Sequence, residues 1–169
     1  FWLSNFCLGL GLLGIILINY WLNDVTVLWL ILGCCFLGYT YQGPPFRFGY
    51  LGLGEIICFI TFGPMAISAA YYAQTQHFSS MSLVTSTIIG ITTSIILFCS
   101  HFHQVEDDVA AGKKSPIVRL GTKTGSLVLA YSTITVFLLT LLLVILQFLP
   151  IWTLLILGSL PSGYNLITH

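Results

Sequence analysis

Six apolar runs, separated by short polar or helix-breaking segments, organise this chain: Phe6 to Leu22, Val25 to Tyr41, Leu51 to Tyr72, Ser82 to Ser100, Ser126 to Leu149, and Ile151 onward. Each reaches the roughly 17 to 25 residues that cross a bilayer core as a helix. The breaks are Asn23–Asp24, Gln42–Tyr50, Ala73–Met81, His101–Gly125 and Pro150. The pattern predicts an all-α fold, a multi-span transmembrane helical bundle with about six spans, whose connecting segments alternate between the two membrane faces.

Composition strengthens that reading. Hydrophobic residues make up 57% of the 169 positions and charged residues 6%, with a mean hydropathy of +0.98. Ordinary globular domains carry roughly a quarter charged residues, so a soluble fold is excluded and the lipid bilayer is the expected partner. The net charge is zero, which leaves no basic face for nucleic acid. Cys7, Cys34, Cys35, Cys58 and Cys99 all sit in apolar runs without a metal-type spacing and read as small buried hydrophobes. The chain begins at Phe1 rather than Met and stops inside an apolar run at His169. It is therefore expected to be part of a single membrane domain, truncated at both ends.

Charge placement adds topology. Arg47 falls in the second break, and Lys113, Lys114, Arg119 and Lys123 fall in the fourth, so all five basic residues share one side. The positive-inside rule puts that side on the cytoplasmic or equivalent face. Glycines cluster twice. Gly9, Gly11 and Gly14 read as close helix packing. Gly49, Gly52 and Gly54 lie in Gln42-Gly-Pro-Pro-Phe-Arg-Phe-Gly-Tyr-Leu-Gly-Leu-Gly-Glu55, a shaped loop ending at an acid and able to line a site.

Seven of the ten charged residues lie between Glu106 and Lys123. Three successive carboxylates repel one another unless a cation sits among them, and hard oxygen ligands suit Mg²⁺, which also binds substrate phosphate oxygens. Lys113, Lys114 and Arg119 follow closely and are donors of the kind a departing diphosphate needs. If the fourth span continues past Ser100, His101, Gln104 and Asp108 share a helix face with Asp107 beside them, while His103 and Glu106 point elsewhere. This geometry selects Gln104, Asp107 and Asp108 for the metal side, with Glu106 as a further ligand or supporting group. The alternative is an ordinary polar loop whose acids and bases neutralise each other in water.

The order of these residues carries a resemblance. Asp108-Val-Ala-Ala-Gly-Lys-Lys-Ser115 followed by Val118-Arg-Leu-Gly121 resembles the second aspartate-rich motif of the UbiA-type intramembrane prenyltransferases. His101-Phe-His-Gln-Val-Glu-Asp-Asp108, Gly43-Pro-Pro-Phe-Arg47 and Gly52-Leu-Gly-Glu55 resemble, more narrowly, the branch of that family in cyanobacteria and plastids that phytylates 1,4-dihydroxy-2-naphthoate. The resemblance implies a nine-span bundle in which two aspartate-rich motifs hold Mg²⁺ on a prenyl diphosphate. The first of them would lie just before Phe1, outside this chain. Where many members have the first Asp of the second motif this chain has Gln104, which shifts metal ligation toward Glu106 and Asp107.

The activity so implied is Mg²⁺-dependent transfer of a phytyl or related prenyl group from its diphosphate to the naphthoate, with loss of CO₂, in phylloquinone or menaquinone biosynthesis. The membrane would be a cyanobacterial cell or thylakoid membrane, or a plastid membrane. Asp107, Asp108, Glu106 and Gln104 would carry the chemistry. Substrate contacts would come from Arg47, Lys113, Lys114, Arg119, His101, His103, Tyr41 and Glu55. Tyr41 and Phe62 would shield the allylic cation. Arg47 is either a diphosphate or acceptor-carboxylate ligand or an interfacial anchor, and Glu55 either positions the acceptor or caps the third span. Asp24, His77 and His169 are assigned to polar ends without chemistry.

Other classes fit less well. His101-x-His103 beside acids suggests a metal oxidase or desaturase, but four histidines are too few for a di-iron set. A transporter would place carboxylates mid-span, whereas here they lie at predicted membrane ends. The Asp-Gly-x-x-Ala-Arg core of the CDP-alcohol phosphotransferases is missing. Homogentisate or chlorophyllide is the alternative prenyl acceptor.

Overall fold

The computed structural model describes residues 2–159. Its helices are α1 (Trp2–Leu22), α2 (Thr26–Gln42), α3 (Gly54–Ile60), α4 (Ala66–Thr75), α5 (Ser80–His103), α6 (Val105–Ala110) and α7 (Pro116–Ile145). A π-helical turn, Thr61–Met65, joins α3 to α4, and a 3-10 segment, Ile151–Ser159, follows α7. No strand occurs among the described residues. Four stretches are long and apolar enough to cross a membrane: Trp2–Leu22, Gly54–Thr75, Ser80–His103 and Pro116–Ile145. With the 17-residue α2 they account for five of the six apolar runs. The sixth starts as the 3-10 segment, and its continuation, with His169, lies outside the described residues.

α5 is the central helix, with α3 and α7 packed along it, while α2 packs against α4 and α1 against α2. Two glycines bring the backbones of the α3–α4 stretch and α5 together. A Cβ on Gly63 would lie 2.8 Å from Ser86 O, and one on Gly90 would lie 2.7 Å from the Phe59 ring and 2.9 Å from Phe59 O. Small residues let membrane helices meet at backbone distance. Gly90→Val therefore forces α3 off α5, and a loss of about 1–3 kcal/mol is expected from such overpacking. Thermal unfolding in detergent measures it; an unchanged midpoint would contradict this packing.

Pro64 falls inside the π-helical turn. Proline removes a backbone donor and crowds the preceding turn, and a π-turn absorbs the distortion. Thr61 Oγ1 donates to Ile57 O at 2.7 Å, and the Cys34 thiol lies 3.8 Å from Thr61 O. Backbone acceptors in the bilayer thus keep protein partners.

The reading of the last long span needs correction. The expected start at Ser126 is too late, because helix begins at Pro116 and is broken only at Gly121 (φ 76°, ψ 161°). Much of the presumed loop from His101 to Gly125 is helical: the end of α5, all of α6 and the first turns of α7. The cysteines also differ from expectation. Cys7 and Cys35 are exposed and Cys34, Cys58 and Cys99 only partly buried, all as free thiols. On a membrane bundle such exposure faces lipid at little cost, so burial within protein is not required of them.

The two ends of the bundle are distinct. At one end Asp24 Oδ1 accepts from Thr26 N and Oγ1 at 2.9 and 2.8 Å, and Asp24 Oδ2 accepts from the Tyr72 hydroxyl, tying the α1–α2 turn to α4. The Tyr72 bond, followed by those from Thr26, holds the Asp24 carboxyl below its ordinary pKa. His77 lies edge-on to Tyr71 at the same end. Among the described residues no hydrogen bond or ion pair links Asp24 or His77 to the acidic run.

Candidate functional site

The other end is built from the segment joining α2 to α3 and the stretch running from α5 into α7. Lys114 N donates to Tyr50 O at 2.8 Å, and Arg119 donates from Nε to Lys114 O at 3.1 Å and from Nη2 to Leu51 O at 2.6 Å. The Arg47 loop and the lysine-rich segment therefore lie on one face, as the charge pattern requires.

Between them runs a chain of charged side chains that begins at Glu55, in the first turn of α3. Its Oε1 lies 3.3 Å from His101 Nε2, His101 Nδ1 lies 3.1 Å from Asp108 Oδ2, and Lys113 Nζ lies 3.1 Å from Asp108 Oδ1. His101 is 2% exposed and Asp108 6%. Burial alone would raise the Asp108 pKa. It is outweighed by Ser115 and Lys113 beside the carboxylate and by the charges of Lys113 and His101, so the group sits below its ordinary value. Ser115 is fully buried, and its hydroxyl favours the ionised form without completing a well-aligned hydrogen bond.

α5 continues past Ser100 as expected, but it ends at His103, and Gln104 (φ −115°, ψ 14°) separates it from α6. The shared face of His101, Gln104 and Asp108 is thus replaced by a break that folds Asp108 back onto His101. Gln104 itself is exposed, as are His103, Glu106 and Asp107. The four residues expected as metal ligands do not converge, and no group of three His, Cys, Asp or Glu side chains among the described residues is arranged to hold a metal. Both Asp108 oxygens face His101 and Lys113. The outward Glu106 and Asp107 remain, and these fit Mg²⁺ of the sort held by one or two carboxylates together with substrate phosphates and water.

The basic residues divide similarly. Lys113 is paired with Asp108, and Arg119 spends Nε and Nη2 on backbone carbonyls. Lys114 and Arg47 have exposed side chains. Arg47 stands over the Tyr50 ring at 5.6 Å and has φ 47°, a conformation uncommon for a residue with a side chain. Glu55 does not cap α3: its side chain reaches across to α5 instead.

Several apolar cavities flank α3, and two of them bear on the site. One, of about 350 Å³, lies between α3, α5 and α7, with Glu55, Gly52 and Pro116 among the wall residues at its polar end and Phe59, Ile91 and Ser132 deeper. The other, of about 310 Å³, is lined by Tyr41, Phe62 and Leu97. Both volumes fall in the range of ligand sites, roughly 300–1,000 Å³. Ser115 and Pro116 open α7, a Ser-Pro pair ahead of an apolar run being a helix-start signal.

A family model described as "UbiA prenyltransferase family" matches residues 2–167. The chain is 60% identical over 169 residues to a 2-carboxy-1,4-naphthoquinone phytyltransferase of Synechocystis sp., covering 100% of this chain and 55% of that protein. It is 40% identical to the chloroplastic 2-carboxy-1,4-naphthoquinone phytyltransferase of Arabidopsis thaliana, over 95% of this chain and 44% of the relative. A 1,4-dihydroxy-2-naphthoate octaprenyltransferase of Haemophilus influenzae is 33% identical over 86 residues, 51% of this chain and 28% of the relative. The chain thus spans about half the length of these two phytyltransferases. No solved structure matches it.

Proposed function

This chain belongs to the UbiA prenyltransferase family, an integral membrane protein by its helices, and from that premise we propose that it transfers a phytyl or related prenyl group from its diphosphate to 1,4-dihydroxy-2-naphthoate, with loss of CO₂, in phylloquinone or menaquinone biosynthesis. One observation supports this most strongly. An apolar cavity of about 350 Å³ is lined at one end by a carboxylate residue, Glu55, beside the segments that carry Arg47, Lys113, Lys114 and Arg119. Such a site suits a substrate pair with a long apolar tail, an anionic leaving group and a polar aromatic acceptor.

The residues divide the work. Lys114 and Arg47, with exposed cationic side chains, receive the diphosphate as its charge develops, since preorganised donors are worth most where charge appears. Lys113 and Asp108 hold α6 in place and present Glu106 and Asp107 outward. Bound there, Mg²⁺ would neutralise the leaving diphosphate. The walls around Tyr41 and Phe62 exclude water from the allylic cation and line the path of the isoprenoid tail. Four copies of an apolar helix in a bilayer would not need this polar end, whereas a diphosphate at the membrane surface would. By the distribution of Lys and Arg the site opens to the cytoplasmic or equivalent face, in a cyanobacterial or plastid membrane.

Membranes containing the protein, supplied with phytyl diphosphate and 1,4-dihydroxy-2-naphthoate, are expected to form the demethylated phylloquinone precursor in the presence of Mg²⁺ and to lose that activity with a chelator. Product from homogentisate alone would move the acceptor assignment to homogentisate; no product from either would overturn the reading.

A further inference from the structure

We infer that Glu55 takes the proton of the acceptor's ring hydroxyl during transfer, with His101 as the residue that positions it. This rests on the acceptor being a hydroxylated aromatic ring, as proposed above. Among the described residues lining the 350 Å³ cavity, Glu55 is the one ionisable side chain; the rest of the wall is apolar apart from Ser94, Ser132 and the backbone. Ser94 is already committed, donating to Glu55 O and Gly90 O. A ring entering this cavity with its hydroxyl foremost meets the Glu55 carboxylate as its polar partner.

The carboxylate is prepared for that encounter. Its Oε1 is buried yet receives no well-aligned hydrogen bond, although His101 Nε2 is 3.3 Å away. Buried polar atoms in native proteins are nearly always paired, and Glu55 is a lining residue of the cavity, so a donor that arrives with a ligand would complete this carboxylate. His101 cannot drift, because it is 2% exposed and its Nδ1 faces Asp108, which Lys113 holds from the other side. Electrostatics fixes the orientation of the acceptor. Its own carboxylate is drawn toward the basic segments, and the hydroxyl that faces Glu55 is the one ortho to that carboxylate.

The step balances. The acceptor O–H bond breaks, its proton passing to Glu55 and its electron pair remaining on oxygen. Delocalised to the ortho carbon that bears the carboxylate, that pair forms the new C–C bond to the prenyl carbon as the C–O bond to diphosphate breaks and its pair leaves with diphosphate. The carboxylate then departs as CO₂, its bonding pair returns to the ring, and the ring oxygen recovers the proton from Glu55. Glu55 ends as it began.

The test compares Glu55→Gln with Glu55→Asp on 1,4-dihydroxy-2-naphthoate and on a ring-fluorinated analogue whose hydroxyl is more acidic. Glu55→Gln is expected to lower kcat by about 10²–10⁴, the usual span for a general base, with KM for phytyl diphosphate unchanged. Glu55→Asp should recover part of the rate, and the loss in Glu55→Gln should be smaller on the fluorinated acceptor. His101→Gln is expected to lower kcat less than Glu55→Gln and to show the same dependence on acceptor acidity. An undiminished kcat in Glu55→Gln, or an equal loss on both acceptors, would overturn the inference by assigning the carboxylate to the prenyl cation or to the fold. If the wild-type protein turns over homogentisate instead, the naphthoate assignment fails separately, and the same comparison on fluorinated homogentisate decides the role of Glu55.

Discussion

Asp108→Asn is expected to lose both prenyl transfer and stability, whereas Asp107→Asn loses transfer alone. The two carboxylates are neighbours in sequence but not in environment. Asp108 is 6% exposed, with His101 at 3.1 Å on one oxygen and Lys113 at 3.1 Å on the other, while Asp107 is exposed. Removing one member of a buried charge pair strands the other and costs about 3–5 kcal/mol. Asparagine keeps the shape of Asp108 but leaves Lys113 without its counter-charge, so α6 should loosen from α5 and the presentation of Glu106 and Asp107 with it. Misplacement by about 1 Å in a catalytic constellation costs on the order of a hundredfold in rate, so a loss at least that large is expected.

Asp107→Asn removes an exposed carboxylate that makes no hydrogen bond or ion pair among the described residues, so the thermal midpoint should hold while the Mg²⁺ requirement rises. Thermal unfolding in detergent and Mg²⁺ titration of activity check the pair. A stable Asp108→Asn, or an Asp107→Asn with normal Mg²⁺ dependence, would break the division of roles. The pH dependence has a defined sign. Because the folded Asp108 pKa lies below its ordinary value of 3.8, its contribution is present above that value and is lost as pH falls below it.

The fold was legible because apolar runs are the dominant signal in a membrane chain. The runs ending at Leu22 and Tyr41 correspond to helices ending at Leu22 and Gln42, and the Ser82–Ser100 run sits inside α5. What escaped was helix made of polar residues. Pro116 to Lys123 carries two cations and reads as loop, yet Ile117 is buried at 1% against Phe98 and Leu129, so a core contact rather than hydropathy makes this turn helical. Gly121 then breaks the helix, which is why periodicity resumes only near Ser126.

The site divides along the same line. The sequence collected Glu55, His101, Asp108 and Lys113 among its candidates, because charge is scarce here and conspicuous. It could not give their partnership, since Glu55 and His101 are far apart in the chain and meet only when α3 packs on α5. Nor could it foresee that Gln104 would break α5 and let α6 turn Asp108 inward onto His101 while Glu106 and Asp107 face out, because the acidic run continues a helical pattern up to that point.

Gly52→Ala is expected to disable the protein, while Gly112→Ala in the opposing loop does not. Both glycines have positive φ, 75° and 68°, so alanine costs either of them about 1–2 kcal/mol of backbone strain. Their surroundings differ. A Cβ on Gly52 would sit 2.4 Å from Lys114 O, whereas one on Gly112 would meet nothing within 4 Å. Lys114 O cannot simply retreat, because it accepts from Arg119 Nε, and Lys114 N donates to Tyr50 O. Relieving the clash means separating the two loops and losing those bonds, with the Arg119 bond to Leu51 O among them. Gly52 also lies in the cavity wall beside Glu55, so the same displacement opens the polar end where acceptor and diphosphate would meet. The rate loss in Gly52→Ala should exceed that in Gly112→Ala by at least about tenfold, since one further lost interaction of about 1.4 kcal/mol suffices for that factor. Parallel rates and unfolding midpoints for the two variants measure the difference; equal effects would mean that the loop-to-loop contact does not hold the site together.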